Sequence, residues 1–163
     1  MFREMRRAGQ QMPDGEARDV LEKGTSGVLG VIGDGGYPYT VPLSYVYDGE
    51  GTIYFHCARS GHKVDAIERD PRVSFCVVDT DDVVQSEYTT YYRSVVAFGH
   101  ARIIEDPDEK MAALRVLGEK YNPGQEAALD AEVAKGFDRL HMVAIDIEHL
   151  TGKQAIELAR GKR

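Results

Sequence analysis

SGVLGVIGDGGYPYTVPLSYVYDGEGTIYFHC, residues 26–57, decides the fold. Three runs rich in β-branched and aromatic residues, Ser26 to Ile32, Tyr37 to Tyr47 and Thr52 to Cys57, are separated by Gly33-Asp34-Gly35-Gly36 and Asp48-Gly49-Glu50-Gly51. Glycine and aspartate supply the backbone conformations that tight reversals need, so the stretch predicts an antiparallel meander of three strands.

Outward from the meander, the chain keeps alternating strands and turns with helices inserted. Upstream, Ala17, Val20 and Leu21 at i, i+3, i+4 spacing after Pro13-Asp14-Gly15 predict a helix from Asp14 to Lys23, stopped by Gly24. Downstream, Ala58-Arg59-Ser60-Gly61-His62 reads as a loop, Lys63 to Asp70 as a short helix ended by Pro71, and Arg72 to Val78 as a fourth strand. The acidic stretch Asp79 to Glu87 is expected to be a solvated loop, and Tyr88 to Ile104 a long strand bent at Gly99. Asp106-Pro107-Asp108-Glu109 combines a capping acid, a first-turn proline and a glutamate three residues on, which starts a helix whose apolar face is Met111, Leu114, Leu117 and Tyr121. Gln125 to Lys135 is expected to be helical, and Leu140 to Ile147 to be the sixth strand. Six mainly antiparallel strands with helices in the gaps predict a mainly β fold with α-helices, a six-stranded antiparallel split β-barrel over residues 1–163 as one domain.

Charge narrows the partners. Twenty lysines and arginines against 27 acids give a net charge of −7 and a pI near 5.2. Nucleic-acid affinity comes mainly from basic residues displacing counterions, so no nucleic-acid partner is expected, although a few well-placed donors can still hold one small anion. The basic N-terminus, Met1 to Arg7, lacks the apolar run of an export signal. Val95-Val96-Ala97-Phe98 is typical of the longest apolar runs, far short of the roughly 20 residues that cross a bilayer. Two cysteines, Cys57 and Cys76, do not make a disulfide scaffold. A cytoplasmic protein with no membrane partner and reduced thiols is expected.

Chemistry concentrates in Tyr54-Phe55-His56-Cys57-Ala58-Arg59-Ser60-Gly61-His62-Lys63, which passes from strand through a small polar loop to a helix start. Unpaired N–H groups and the dipole at a helix start favour an anion, and Ser60, Lys63 and either Arg59 or His62 add donors and charge. The same residues also suit a plain helix cap with solvated cations, and spacing does not choose between the two. Three other patterns lead nowhere. Gly33-Asp34-Gly35 has Pro38 where a dinucleotide fingerprint needs glycine, Asp79, Asp81 and Asp82 lack the glycine and the final glutamate of a calcium loop, and His56, Cys57 and His62 match no zinc spacing. No metal and no hydrolase triad are expected.

Together with Gly36-Tyr37-Pro38-Tyr39-Thr40-Val41-Pro42-Leu43-Ser44-Tyr45 and Tyr92-Arg93-Ser94-Val95-Val96-Ala97-Phe98-Gly99-His100-Ala101, this stretch resembles the pyridoxamine 5′-phosphate oxidase-like, FMN-binding split-barrel superfamily. Within it, the likeness is to the branch of 5-nitroimidazole-reductase-like proteins, and it extends over nearly the whole chain. The resemblance implies FMN, with the second strand, Thr40, Val41, Pro42 and Leu43, along the flavin ring. It implies the phosphate at His62 and Lys63, with Ser60 in the same loop. Histidine replaces the arginine of the oxidases proper at 62 and makes no two-pronged contact, which leaves Lys63 as the dominant charge. Phe55 and His56 line the cofactor by the same likeness, His56 being the candidate catalytic group beside the ring, and Ser94 falls near the phosphate end. The ordinary readings stand beside these: Val41 and Leu43 as core by period-two alternation, Ser94 as an exposed strand serine, His56 as a histidine bonded to backbone at a barrel rim.

The resemblance further implies a homodimer with the flavin at the subunit interface, Tyr88 to Tyr92 or the late helices helping to cover it. It implies an FMN-dependent oxidoreductase reducing a small, flat or nitroaromatic acceptor, with a nicotinamide donor binding transiently. A flavin-binding module without turnover, or a relative carrying haem or a deazaflavin, are the alternatives.

Overall fold

The computed structural model describes residues 1–161. Along the chain lie α1 (Asp14–Lys23), β1 (Ser26–Ile32), β2 (Pro38–Ser44), β3 (Val46–Tyr47), β4 (Thr52–Ala58), α2 (His62–Arg69), β5 (Arg72–Val84), β6 (Thr89–Ile103), α3 (Pro107–Tyr121), α4 (Glu126–Gly136), β7 (Leu140–Gln154) and α5 (Ile156–Ala159). The strands form one antiparallel sheet in the order β2-β1-β5-β6-β7-β4-β3. Among the described residues no helix is long and apolar enough to cross a membrane.

Seven strands replace the expected six because the run from Tyr37 to Tyr47 breaks at Tyr45. Its side chain is wholly buried, and its hydroxyl donates to the Leu21 carbonyl at 2.7 Å. Its backbone N–H donates to the Tyr121 hydroxyl at 3.0 Å, which also lies 3.0 Å from the Tyr45 carbonyl. With its backbone groups taken by a side chain, Tyr45 leaves the ladder. Before it, β2 pairs with β1; after it, β3 pairs with β4. Because β2 and β3 are the two edges of the sheet and one residue separates them, the sheet curls until its edges meet at Tyr45.

Two further expectations need correction. Asp79 to Glu87 is not a loop: β5 continues to Val84 and pairs with Thr89–Arg93 after a register shift at Val78/Thr80, leaving a turn only at Gln85–Glu87. Its acids ride on an exposed two-stranded ribbon rich in β-branched residues, where a cross-strand partner outweighs low intrinsic propensity. The last strand runs past Ile147 to Gln154, pairing with β6 beyond a register shift at Phe98/Gly99. Gly99 is needed there because a Cβ would stand 2.2 Å from the Asp146 carbonyl oxygen.

Side chains alternate across the strands, and the inward set forms the main core: Leu29, Val31, Ile53, Phe55, Phe75, Val77, Val95, Val143 and Ile145, capped by Val20 and Leu21 of α1. A second core fills the space between the outer face of β4 and β7 and the helices α3 and α4, with Ala113, Leu114, Leu117, Val133, Met142 and Ala144. α3 begins as its sequence predicts, Asp106 accepting from the N–H groups of Asp108 (3.0 Å) and Glu109 (2.8 Å).

Candidate functional site

β2 has one neighbour, β1, so its other edge carries unpaired N–H and C=O groups from Pro38 to Ser44. β4 pairs with β7 along its whole length but with β3 only at Ile53 and Tyr54, which leaves the same kind of edge from Phe55 to Ala58. These two edges meet at Tyr45 and diverge from it. At the open end the chain returns through Ala58–Gly61, and the His62 ring stacks on Tyr39 at 4.1 Å. The result is a wedge bounded by two backbone edges and closed by the loop that leads into α2.

The loop end is positive. Gly61 has a φ of 135°, which favours glycine, and its carbonyl accepts from the Val64 and Asp65 N–H groups, so α2 starts abruptly with the His62 and Lys63 N–H groups in its first turn. Lys63 is half-buried and belongs to no ion pair among the described residues. Its charge reaches Cys57: burial pushes that thiol's pKa up, and Lys63 acts in the opposite direction. The other nearby cations are occupied. Arg59 donates to the Asp138 carbonyl at 3.1 Å, and Arg69 to the Asp34 carboxylate (3.3 Å) and the Ile32 carbonyl (2.8 Å). Nε2 of His62 accepts from the Asp34 N–H at 3.3 Å, so this ring braces the turn between β1 and β2.

His56 points outward from β4, opposite Met142 in the ladder, between the inward Phe55 and Cys57. It lines a cavity of about 400 Å³ together with Ser44, Leu117, Tyr121 and Val133. Since Ser44 ends β2 and His56 lies on β4, this cavity adjoins the corner where the wedge closes.

The expected site residues separate into groups. Thr40 and Pro42 are exposed on the outer face of β2, while Val41 and Leu43 are half-buried against the main core. Ser60 is exposed in the loop beside Lys63. The Phe55 side chain is wholly buried in the core, so only its backbone, on the open edge of β4, faces the wedge. Ser94 lies on the same outer face as Pro42 but three strands across and two residues further along β6, opposite Lys153 and Val78. The structure does not bring it to this wedge. Sequence reasoning missed the helical wall over His56. Leu117 and Tyr121 were legible only as one helix's apolar face, because their partners lie far away in the chain.

The outer face of β1, β5 and β6 carries four exposed apolar side chains, of which Phe98 packs against Phe2. Val28, Ile32, Val78 and Phe98 are 39%, 43%, 61% and 38% exposed.

A profile for the family described as pyridoxamine 5′-phosphate oxidase matches residues 13–154. Curated protein sequences give no match. Many solved structures share the fold, among them the following three. The flavocytochrome Anf3 of Azotobacter vinelandii is 20% identical, with a TM-score of 0.79 over 93% of this chain and 72% of that one. A protein of Bacteroides thetaiotaomicron, provisionally named for 5-nitroimidazole antibiotic resistance, is 20% identical, with a TM-score of 0.75 over 88% and 86%. A FAD-binding protein of Mesorhizobium loti is 25% identical, with a TM-score of 0.64 over 90% and 97%.

Proposed function

We propose, from the premise that this chain belongs to the pyridoxamine 5′-phosphate oxidase family, that it is an FMN-dependent oxidoreductase of the cytoplasm: a single-domain split barrel, paired as a homodimer, that reduces a small flat acceptor. The observation that carries this reading is the wedge: two unpaired strand edges converging at Tyr45, with an unpaired lysine and a helix start at the open end.

The residues present fit such a cofactor. The unpaired backbone of Thr40–Leu43 suits the hydrogen-bonding edge of a flavin ring, with Pro42 supplying an acceptor and no donor. Ser60, Lys63 and the first-turn N–H groups of α2 suit its phosphate. Bound flavin supplies the electron-carrying chemistry that no side chain here has. Lys63 neutralises the phosphate, β2 fixes the ring's orientation, the apolar residues around the corner exclude water, and His56 holds or gives a proton at the acceptor. A nicotinamide is the donor, bound only transiently. The exposed apolar face of Val28, Ile32, Val78 and Phe98 supports a second copy as the cover for whatever part of the ring one subunit leaves open.

Titration of the purified protein with FMN tests this reading. Quenching of flavin fluorescence at one FMN per chain is expected, followed by consumption of a nitroaromatic with a nicotinamide donor faster than by free FMN. Binding without that acceleration identifies a flavin-binding module instead, and an intense Soret band with no flavin uptake identifies a haem protein.

A further inference from the structure

We infer that the cavity between β4 and the pair α3–α4 is the acceptor pocket, and that it takes an uncharged aromatic molecule with one hydrogen-bonding group, its length set by Val133 and Leu117. At about 400 Å³ the space falls within the range of small-molecule sites, and its walls are mostly aliphatic, with Leu114, Leu117, Val133 and Leu140 facing one another. Ser44 and His56 are the polar groups at the sheet end, and Asn122 and Glu132 those on the helical side. The Tyr121 hydroxyl is committed to Tyr45 and the Thr25 carbonyl, so it contributes ring surface. Ser44 and His56 have no side-chain hydrogen-bond partner among the described residues and are left to address a ligand.

Charge selects the ligand. The one charged side chain lining the cavity is Glu132, and no lysine or arginine lines it. An anion entering would give up its hydration without a compensating cation, whereas a neutral ring loses little. Hydrogen bonding from His56 or Ser44 would then orient the polar end toward the wedge.

The outer wall is the less firmly held one. Of the eleven residues of α4, Val133 alone is buried, and Gln125 gives no side-chain cap. Its anchor is the crossing with α3 at Gly118, where a Cβ would meet Leu129 at 2.4 Å. A wall with so little burial opens at low cost, which gives the ligand an entry route.

The role as acceptor pocket rests on the flavin reading above; the occupancy does not. The test measures dissociation constants for nitrobenzene and its 4-alkyl homologues, methyl to hexyl, by equilibrium dialysis. It is run on FMN-loaded oxidised protein without a reductant and on flavin-free protein. Affinity should rise with chain length and then fall by about tenfold or more at a cutoff. Val133→Ala and Leu117→Ala should move that cutoff to longer chains, and Val133→Phe to shorter ones. If Val133→Phe does not fold, the two alanine variants decide the matter. Charged 4-nitrobenzoate should bind at least tenfold more weakly than 4-nitrotoluene. A cutoff that none of the variants moves, or 4-nitrobenzoate binding as tightly as the neutral series, overturns the assignment. Failure to bind FMN with the cutoff behaviour intact overturns the flavin reading and leaves this pocket standing.

Discussion

Tyr121 reaches back 76 residues to hold Tyr45, accepting its N–H at 3.0 Å, and also lies within hydrogen-bond reach of the Tyr45 and Thr25 carbonyls. Removing that hydroxyl leaves buried backbone groups without a partner. Tyr121→Phe should therefore cost about 1–3 kcal/mol in urea unfolding. It should also weaken FMN binding, because the corner where the two edges converge is no longer pinned. Carboxylates in turns make the acid limb of the stability curve. For Asp48, burial alone would raise the pKa, but hydrogen bonds from the Thr52, Gly51 and Glu50 N–H groups outweigh it and hold the carboxyl below its usual range. For Asp70, the fork to Arg72 (2.9 and 2.6 Å) brings the value down to about 2. A folded-state pKa below the unfolded one means stability that is complete above the unfolded value, near 4, and lost as pH falls through the folded value. Unfolding followed between pH 5 and pH 2 should show this loss, and Asp48→Asn should flatten part of it. At this scale the sequence carried His56 outward and Phe55 inward, since period two along Ile53, Phe55 and Cys57 already separates them. The resemblance to the family places both beside the cofactor, Phe55 through its backbone and His56 through its side chain. The bond from Tyr121 to Tyr45 was not legible, because nothing local marks a contact made across most of the fold.

Among the elements, α3 shows how a strong local signal becomes a wall of the site. Its cap, Asp106, was readable from Asp106-Pro107-Asp108-Glu109, and the structure keeps both of its backbone bonds. Asp106→Ala should lower stability by about 1 kcal/mol, measurable as a shift in the urea midpoint with an unchanged slope. β5 and β6 teach the opposite lesson. Asp79, Asp81 and Asp82 are poor strand formers, yet they lie in a ladder because Arg93, Tyr92 and Tyr91 face them across it or one step along. Pairing partners are a tertiary fact, and a run of acids read alone gives no hint of them. The strand from Tyr37 to Tyr47 was legible as extended chain, whereas its division at Tyr45, which creates both edges of the wedge, depends on a side chain from another helix.

For the whole molecule, alternation and turns were enough to foresee an antiparallel sheet with α1 to α4 in the observed places, but not α5. What composition did not reveal is the pairing order, in which the first hairpin ends up at one edge and its continuation at the other. The outer face of Val28, Ile32, Val78 and Phe98 bears on assembly: Phe98→Asp should convert a dimer to a monomer in sedimentation at micromolar concentration and weaken FMN binding with it. The proposed site as a whole depends on Lys63 and the start of α2 holding a phosphate. Titrating FMN and riboflavin, which lacks the phosphate, into wild-type protein and Lys63→Ala measures that contact directly. The account predicts that wild-type protein prefers FMN by about tenfold or more, and that the variant loses this preference with its riboflavin affinity unchanged. Equal weakening of both flavins, or a preference that survives the substitution, would contradict it.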